Sequence, residues 1–245
     1  MSTSETPIGP RPGLSNVADI IIAPNAAFER IRVVPTWGWA LLAASVIAII
    51  GGLLATPASF HALDVSGPAL YATNPAVTQL PADKQPAMIE RMISYHRVAI
   101  RIQSFLIPVF ILIGALFSGL VMTIANAVSR GDGNFKRFFA LAVTVAIVSS
   151  IGVLLNGLIA IVRGAGSYET MQSVQSSLPS LALLAPGAGK KLAVFLSTMN
   201  IATIWATALT ALGMVAAARI KPAIAWVTAF LMLFAGGALL SMIVQ

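Results

Sequence analysis

Residues 138–162, FFALAVTVAIVSSIGVLLNGLIAIV, decide the fold. Asn156 is the one amide among apolar, small and hydroxyl-bearing side chains, and no charge interrupts the run. Wound as a helix at 1.5 Å per residue, the stretch reaches about 37 Å. The hydrocarbon core of a bilayer is about 30 Å thick and needs roughly 20 helical residues to cross. A buried helix of a soluble protein seldom runs so far without a polar face.

Four further stretches share this character: 37–55, 104–128, 192–218 and 222–244, none containing Asp, Glu, Lys, Arg or His. Trp37, Trp39 and Trp226 stand near the ends of these runs, where indole rings favour the membrane interface. The reading is an all-α integral membrane protein, a bundle of about five transmembrane helices. Composition agrees. Hydrophobic residues make up 58% of the chain and charged residues 9%, whereas a soluble domain carries roughly a quarter charged residues. The net charge of +7 is spread over connecting segments, which favours anionic lipid headgroups over nucleic acid, whose recognition needs a contiguous basic face. With no cysteine in the chain, disulfides, thiolate chemistry and cysteine metal sites are excluded.

Residues 1–18 read as a disordered tail without the basic-then-apolar order of a secretory signal, and residues 19–245 as the five-helix domain. Between Leu14 and Val34, Ile20, Ile21, Ile22, Phe28, Ile31 and Val34 supply apolar surface, while Asp19, Glu29, Arg30 and Arg32 supply a wet face. This pattern predicts an N-terminal amphipathic helix, either lying in the membrane interface or packed on the protein itself. Thr56–Pro81, with Gly67, Pro68, Asn74 and Pro75 as breakers, reads as irregular. After Pro86 a helical spacing of Met88, Ile89, Met92 and Ile93 leads toward the second long run. Leu178–Pro186 is apolar but too short to cross.

Orientation follows from the short connections. Arg130, Lys136, Arg137, Arg219 and Lys221 face one acid, Asp132, in the loop 129–137 and the turn 219–221. Basic residues in short loops mark the cytoplasmic side, which predicts a cytoplasmic N-terminus and a periplasmic C-terminus in an inner membrane.

Signals of catalysis fail on inspection. His61 and His96 have no partner at a metal-ligand spacing. Gly187-Ala188-Gly189-Lys190 lacks both the earlier glycine of a phosphate loop, where Leu184 stands, and the following hydroxyl, where Lys191 stands. No cofactor or metal is expected. The spans lack the intramembrane charge that marks most ion pathways. Asn126, Asn156 and Asn200, with nearby threonines, read as groups that bond helix to helix; the sharper alternative is a polar path for a small neutral solute. Gly114 with Ser118 and Ala115 with Gly119 allow close helix approach. The loop Arg130–Arg137 is the most distinctive local feature. Its glycines permit left-handed turns, and Lys136 and Arg137 stand where anionic headgroups or a docking partner would meet them.

The order of features resembles the Yip family of membrane proteins, named for interaction with Ypt/Rab GTPases, in its bacterial branch. Pro24, Phe28 and Ile31 before a Trp-marked first span resemble the family's leading segment. Gly131–Phe138 resembles its glycine–glycine–Phe turn into the third span, and the five-helix layout with a long first outer loop also matches. The resemblance implies a scaffold or organiser and carries over no catalytic residues. The function read from the chain is therefore a non-enzymatic inner-membrane organiser. It would bind lipid headgroups, a protein partner or a second copy through Phe28, Arg30, Arg130, Lys136 and Arg137. A permease lined by Asn126, Asn156 and Asn200 is the alternative.

Overall fold

A computed structural model describes residues 12–243. Most of the tail expected over 1–18 therefore lies outside the described residues, and its last part, from Pro12 on, is helical. Helix α1 (Pro12–Ile22) and α2 (Pro24–Val33) form a hairpin broken at Ala23, because Pro24 has no N–H to continue the α1 ladder. Then follow α3 (Gly38–Ala72), α4 (Pro75–Thr78), α5 (Gln85–Ser129), α6 (Phe135–Arg163), α7 (Met171–Gln175), α8 (Lys190–Ser197), α9 (Ile201–Ala218) and α10 (Pro222–Ile243). Five of these, α3, α5, α6, α9 and α10, are long and apolar enough to cross a membrane, as the sequence predicts. The protein is a multi-pass membrane protein.

Helix α6 is the hub. It is the most enclosed of the five and packs on α3, α5 and α9, with α10 laid against α9. The α3–α6 crossing is close because Gly51 and Gly157 face each other's backbones. A Cβ on Gly51 would lie 2.6 Å from the Leu154 backbone, and one on Gly157 would strike the Gly51 carbonyl. Small residues let backbones approach in this way, which is how helices gain contact where lipid is as apolar as the side chains.

Two sequence expectations change. Thr56–Pro81 is not irregular: α3 continues through Pro57 and Pro68 to Ala72. Its far half is held by tertiary packing, with Ala58 and Ala62 in a second core with Ala160, Tyr168 and Val174. That packing outweighs the cost of proline inside a helix. The expected span 192–218 divides into α8 and α9, since the Asn200 side chain accepts the Ala202 and Thr203 N–H groups (3.0 and 3.1 Å) and starts a new helix.

The helical approach to the second span is present, and it is long. At 35 and 45 residues, α3 and α5 span about 52 and 67 Å, well beyond a core of about 30 Å. Both excess lengths lie at the same end, where they form a projecting hairpin joined by the Asp64–Arg97 ion pair, a Tyr71–His96 hydrogen bond and Arg101 over the Phe60 ring at 5.2 Å. The other end gathers α1, α2, the α5–α6 loop and the α9–α10 turn. It holds Arg30, Arg32, Arg130, Lys136, Arg137, Arg219 and Lys221, half of the described Lys and Arg residues; the other seven, Arg97 and Arg101 among them, lie outside it.

Candidate functional site: the basic end of the bundle

Each element of the basic end is positioned by a bond made to another. Helix α5 ends at Arg130 in the left-handed region (φ 56°, ψ 40°), and α9 ends likewise at Arg219 (φ 51°, ψ 31°). Asn126 then clamps the loop. Its Oδ1 accepts the Gly133 N–H at 3.1 Å and its Nδ2 donates to the Gly133 carbonyl at 3.2 Å. The Asp132 N–H donates to Ala218 O, one of the last carbonyls of α9, at 3.0 Å. Lys221 N–H donates to Ser129 Oγ at 2.7 Å. Asn134 caps α6 by accepting the Arg137 N–H. Gly131 and Gly133 are required by proximity: a Cβ on the first would lie 2.6 Å from Ala218 O, and one on the second 2.5 Å from Ala218 Cβ. The loop and the turn, far apart in sequence, are one stitched surface.

At its centre stands Asp132. Arg137 Nη1 and Arg219 Nε lie 3.6 Å from its carboxylate, and Arg32 Nη2 of the hairpin lies 3.7 Å away. Arg137 also donates to the Asp132 carbonyl at 2.9 Å. Three guanidiniums thus share one half-exposed carboxylate, and Arg32 divides itself further with Glu29 at 3.7 Å. Arg130, Lys136 and Lys221 are exposed and reach no carboxylate among the described residues. Across the hairpin, loop and turn, seven Lys or Arg stand against three acids. Charges this exposed add little stability as pairs. Their surplus instead makes a field that attracts anions, and guanidiniums match phosphate geometry well.

The structure brings Arg130, Lys136 and Arg137 together as expected and joins Arg32, Arg219 and Lys221 to them. It separates the others. Phe28 is fully buried in the main core, its ring 3.1 Å from where a Gly213 Cβ would stand, so it contacts neither lipid headgroup nor partner. The amphipathic spacing is real, but it divides: Ile20, Phe28 and Ile31 are buried in the bundle, while Ile21 and Ile22 stay exposed. Arg30 is committed inward, bonded to Asn16 Oδ1 at 2.9 Å and paired with Asp19, which clips α2 to α1.

Nor do the three asparagines share a path. Asn126 is the loop clamp, Asn200 the α9 cap, and Asn156 donates to Val174 O at 2.7 Å near the opposite end. None lines the cavity of about 310 Å³ between α5, α6, α9 and α10. The Asp132 cluster was missed because its members come from three separate segments. The one sequence signal was the Gly-Asp-Gly turn, with glycines on both sides of an acid in a basic loop.

The family model for the Yip1 domain matches residues 18–243. The chain is similar to the Bacillus subtilis (strain 168) protein called membrane protein YknW, 28% identical over 214 residues, covering 87% of this chain and 83% of that one. No solved structure matches.

Proposed function

The chain belongs to the Yip1 family, and from that premise we propose that it is a non-enzymatic inner-membrane organiser whose basic end faces the cytoplasm and binds anionic phospholipid headgroups. One observation carries the reading. Both helix ends bordering the cluster take the left-handed conformation that glycine usually supplies, yet both are arginine, Arg130 and Arg219. A non-glycine residue there costs on the order of 1–3 kcal/mol and persists only where surroundings enforce it. Of these two strained cations, Arg219 is one of the three guanidiniums sharing Asp132, and Arg130 reaches no carboxylate among the described residues. The arrangement suits phosphate capture, since charge-assisted bonds from arginine to phosphate are about twice as strong as neutral ones. Placing the basic end in the cytoplasm follows the bias of short loops, and the anionic cytoplasmic leaflet offers the matching charge.

The test is native mass spectrometry of the full chain titrated with phosphatidylglycerol and with phosphatidylcholine. The anionic lipid should bind at least tenfold more tightly, and Arg137→Gln with Arg219→Gln should remove that preference. Equal binding of the two lipids would refute the reading. Because the natural chain has no cysteine, single cysteines at Lys136 and Gly187 also test orientation by labelling from either side. The permease alternative draws little support from the geometry: a solute site needs convergent polar groups, whereas the three asparagines are apart, each bonded to backbone, with Asn156 Oδ1 alone left buried and without a partner.

A further inference from the structure

Between α5, α6, α9 and α10 lies the cavity of about 310 Å³, the lower end of the usual range for ligand sites. Small side chains leave it open: Gly114 and Ser118 on α5, Ala142, Ala146 and Ser149 on α6. Ser149 is exposed although it sits on the central helix, between Val148 and Ser150, which are buried. It is reached from the side, where α10 packs on α9 and only lightly on α5. Ser118 stands roughly 16 Å along α5 from its basic end, and Thr207 about as far along α9, at 1.5 Å per residue. That is half the depth of a core of about 30 Å, so the opening faces hydrocarbon.

The lining polarity selects the occupant. Thr203, Thr207 and Thr210 donate their hydroxyls to Thr198 O, Thr203 O and Ala206 O at 2.6, 2.8 and 2.8 Å, so α9 offers no spare donor there. Ser118 and Ser149 are the remaining lining hydroxyls, too few to recognise a polar solute. A transmembrane helix of a second copy, 10–12 Å wide, is too broad for this volume. An extended hydrocarbon chain is not. The basic ends of the same four helices carry Arg130 (α5), Lys136 and Arg137 (α6), Arg219 (α9) and Lys221 (α10). Cations above and an apolar slot about 16 Å below complement the two halves of one molecule.

We infer that the cleft is an acyl-chain site, and that one anionic glycerophospholipid places its phosphate at the Asp132 cluster and a chain between α5 and α10. This rests on the headgroup reading above and adds depth, chain length and stoichiometry to it. The lipid is held as a bound ligand rather than as passing solvent.

Two plugs test it. A Cβ at Gly114 meets nothing within 4 Å, so Gly114→Leu has open space at its Cβ from which to grow into the slot, and it replaces a helix-interior glycine by a good helix former. Ser149→Phe fills it from α6. Both are titrated as the full chain with long-chain phosphatidylglycerol, its dihexanoyl form and glycerol phosphate, alongside Arg137→Gln/Arg219→Gln, with fold followed by thermal unfolding. The expected result is one long-chain lipid bound per protein, at least tenfold weaker in each folded plug variant, with the dihexanoyl form at least tenfold weaker than the long chain and indifferent to the plugs. If both plugs leave long-chain binding unchanged while the arginine variant loses it, the headgroup reading stands and the chain site is refuted. If glycerol phosphate competes as well as long-chain lipid, the site takes a free phosphate and the inference also falls. A plug that dissociates a dimer would reassign the cleft to self-association. Unchanged binding in the arginine variant would remove the headgroup reading itself.

Discussion

The two ends of the bundle are built by opposite means. At the basic end, the α5–α6 loop and the α9–α10 turn are locked by bonds to backbone groups: Asp132 N–H to Ala218 O, Lys221 N–H to Ser129 Oγ, and Asn126 to both groups of Gly133. At the far end two long helices project, joined by side chains: Asp64 to Arg97, Tyr71 to His96 and Arg101 over Phe60. A geometry fixed through backbone holds charges at set separations. One fixed through long, exposed side chains holds only the elements. Cations exceed acids in both halves of the molecule, seven to three at the basic end and seven to four in the rest of the described chain. What sets the basic end apart, and recommends it as the proposed binding surface, is that its cations stand on a loop and turn bonded to each other.

Substitutions should break this contrast unequally. The largest effect is expected at Gly133, where even a Cβ would lie 2.5 Å from Ala218 Cβ. Gly133→Val should destabilise the protein by about 3 kcal/mol, the upper end for overpacking, while Gly166→Ala, whose Cβ meets nothing, should stay within about 0.5 kcal/mol. Thermal unfolding in one detergent compares them. Arg219→Gly comes next and has the opposite sign: relief of the left-handed strain should stabilise by about 1 kcal/mol while anionic-lipid affinity falls severalfold. A drop in both would mean that Arg219 is a structural residue. The smallest effect belongs to the far end. Asp64 and Arg97 are each 45% exposed, so Arg97→Gln should cost about 0.5 kcal/mol. A loss above about 2 kcal/mol would show the projecting hairpin to be as tightly built as the basic end.

These expectations also show which parts were legible in the sequence. Spans are legible because crossing hydrocarbon demands a charge-free length, a local property that residues 138–162 display openly. Helix through Pro57 and Pro68 is not, because it depends on Ala58 and Ala62 finding Tyr168 and Val174 more than 100 residues later. Phe28 shows the same limit: its spacing announces an apolar face, but only the fold decides whether lipid or α9 covers it. At the site, the basic character of Arg130–Arg137 was visible. The shared Asp132 was not, since Arg32, Arg137 and Arg219 meet only after the loop is stitched to the end of α9. The left-handed arginines were hidden too, because arginine carries no signal for that conformation as glycine does.

The central claim is that the basic end holds an anionic lipid, and recovery from native membranes tests it most directly. The chain would be purified in mild detergent beside its Arg137→Gln/Arg219→Gln variant, and the lipids and proteins retained by each identified by mass spectrometry. An anionic phospholipid near one per chain, lost from the variant while the fold persists, is the predicted result. The same lipids retained by both, or a stoichiometric protein partner lost in their place, would contradict it.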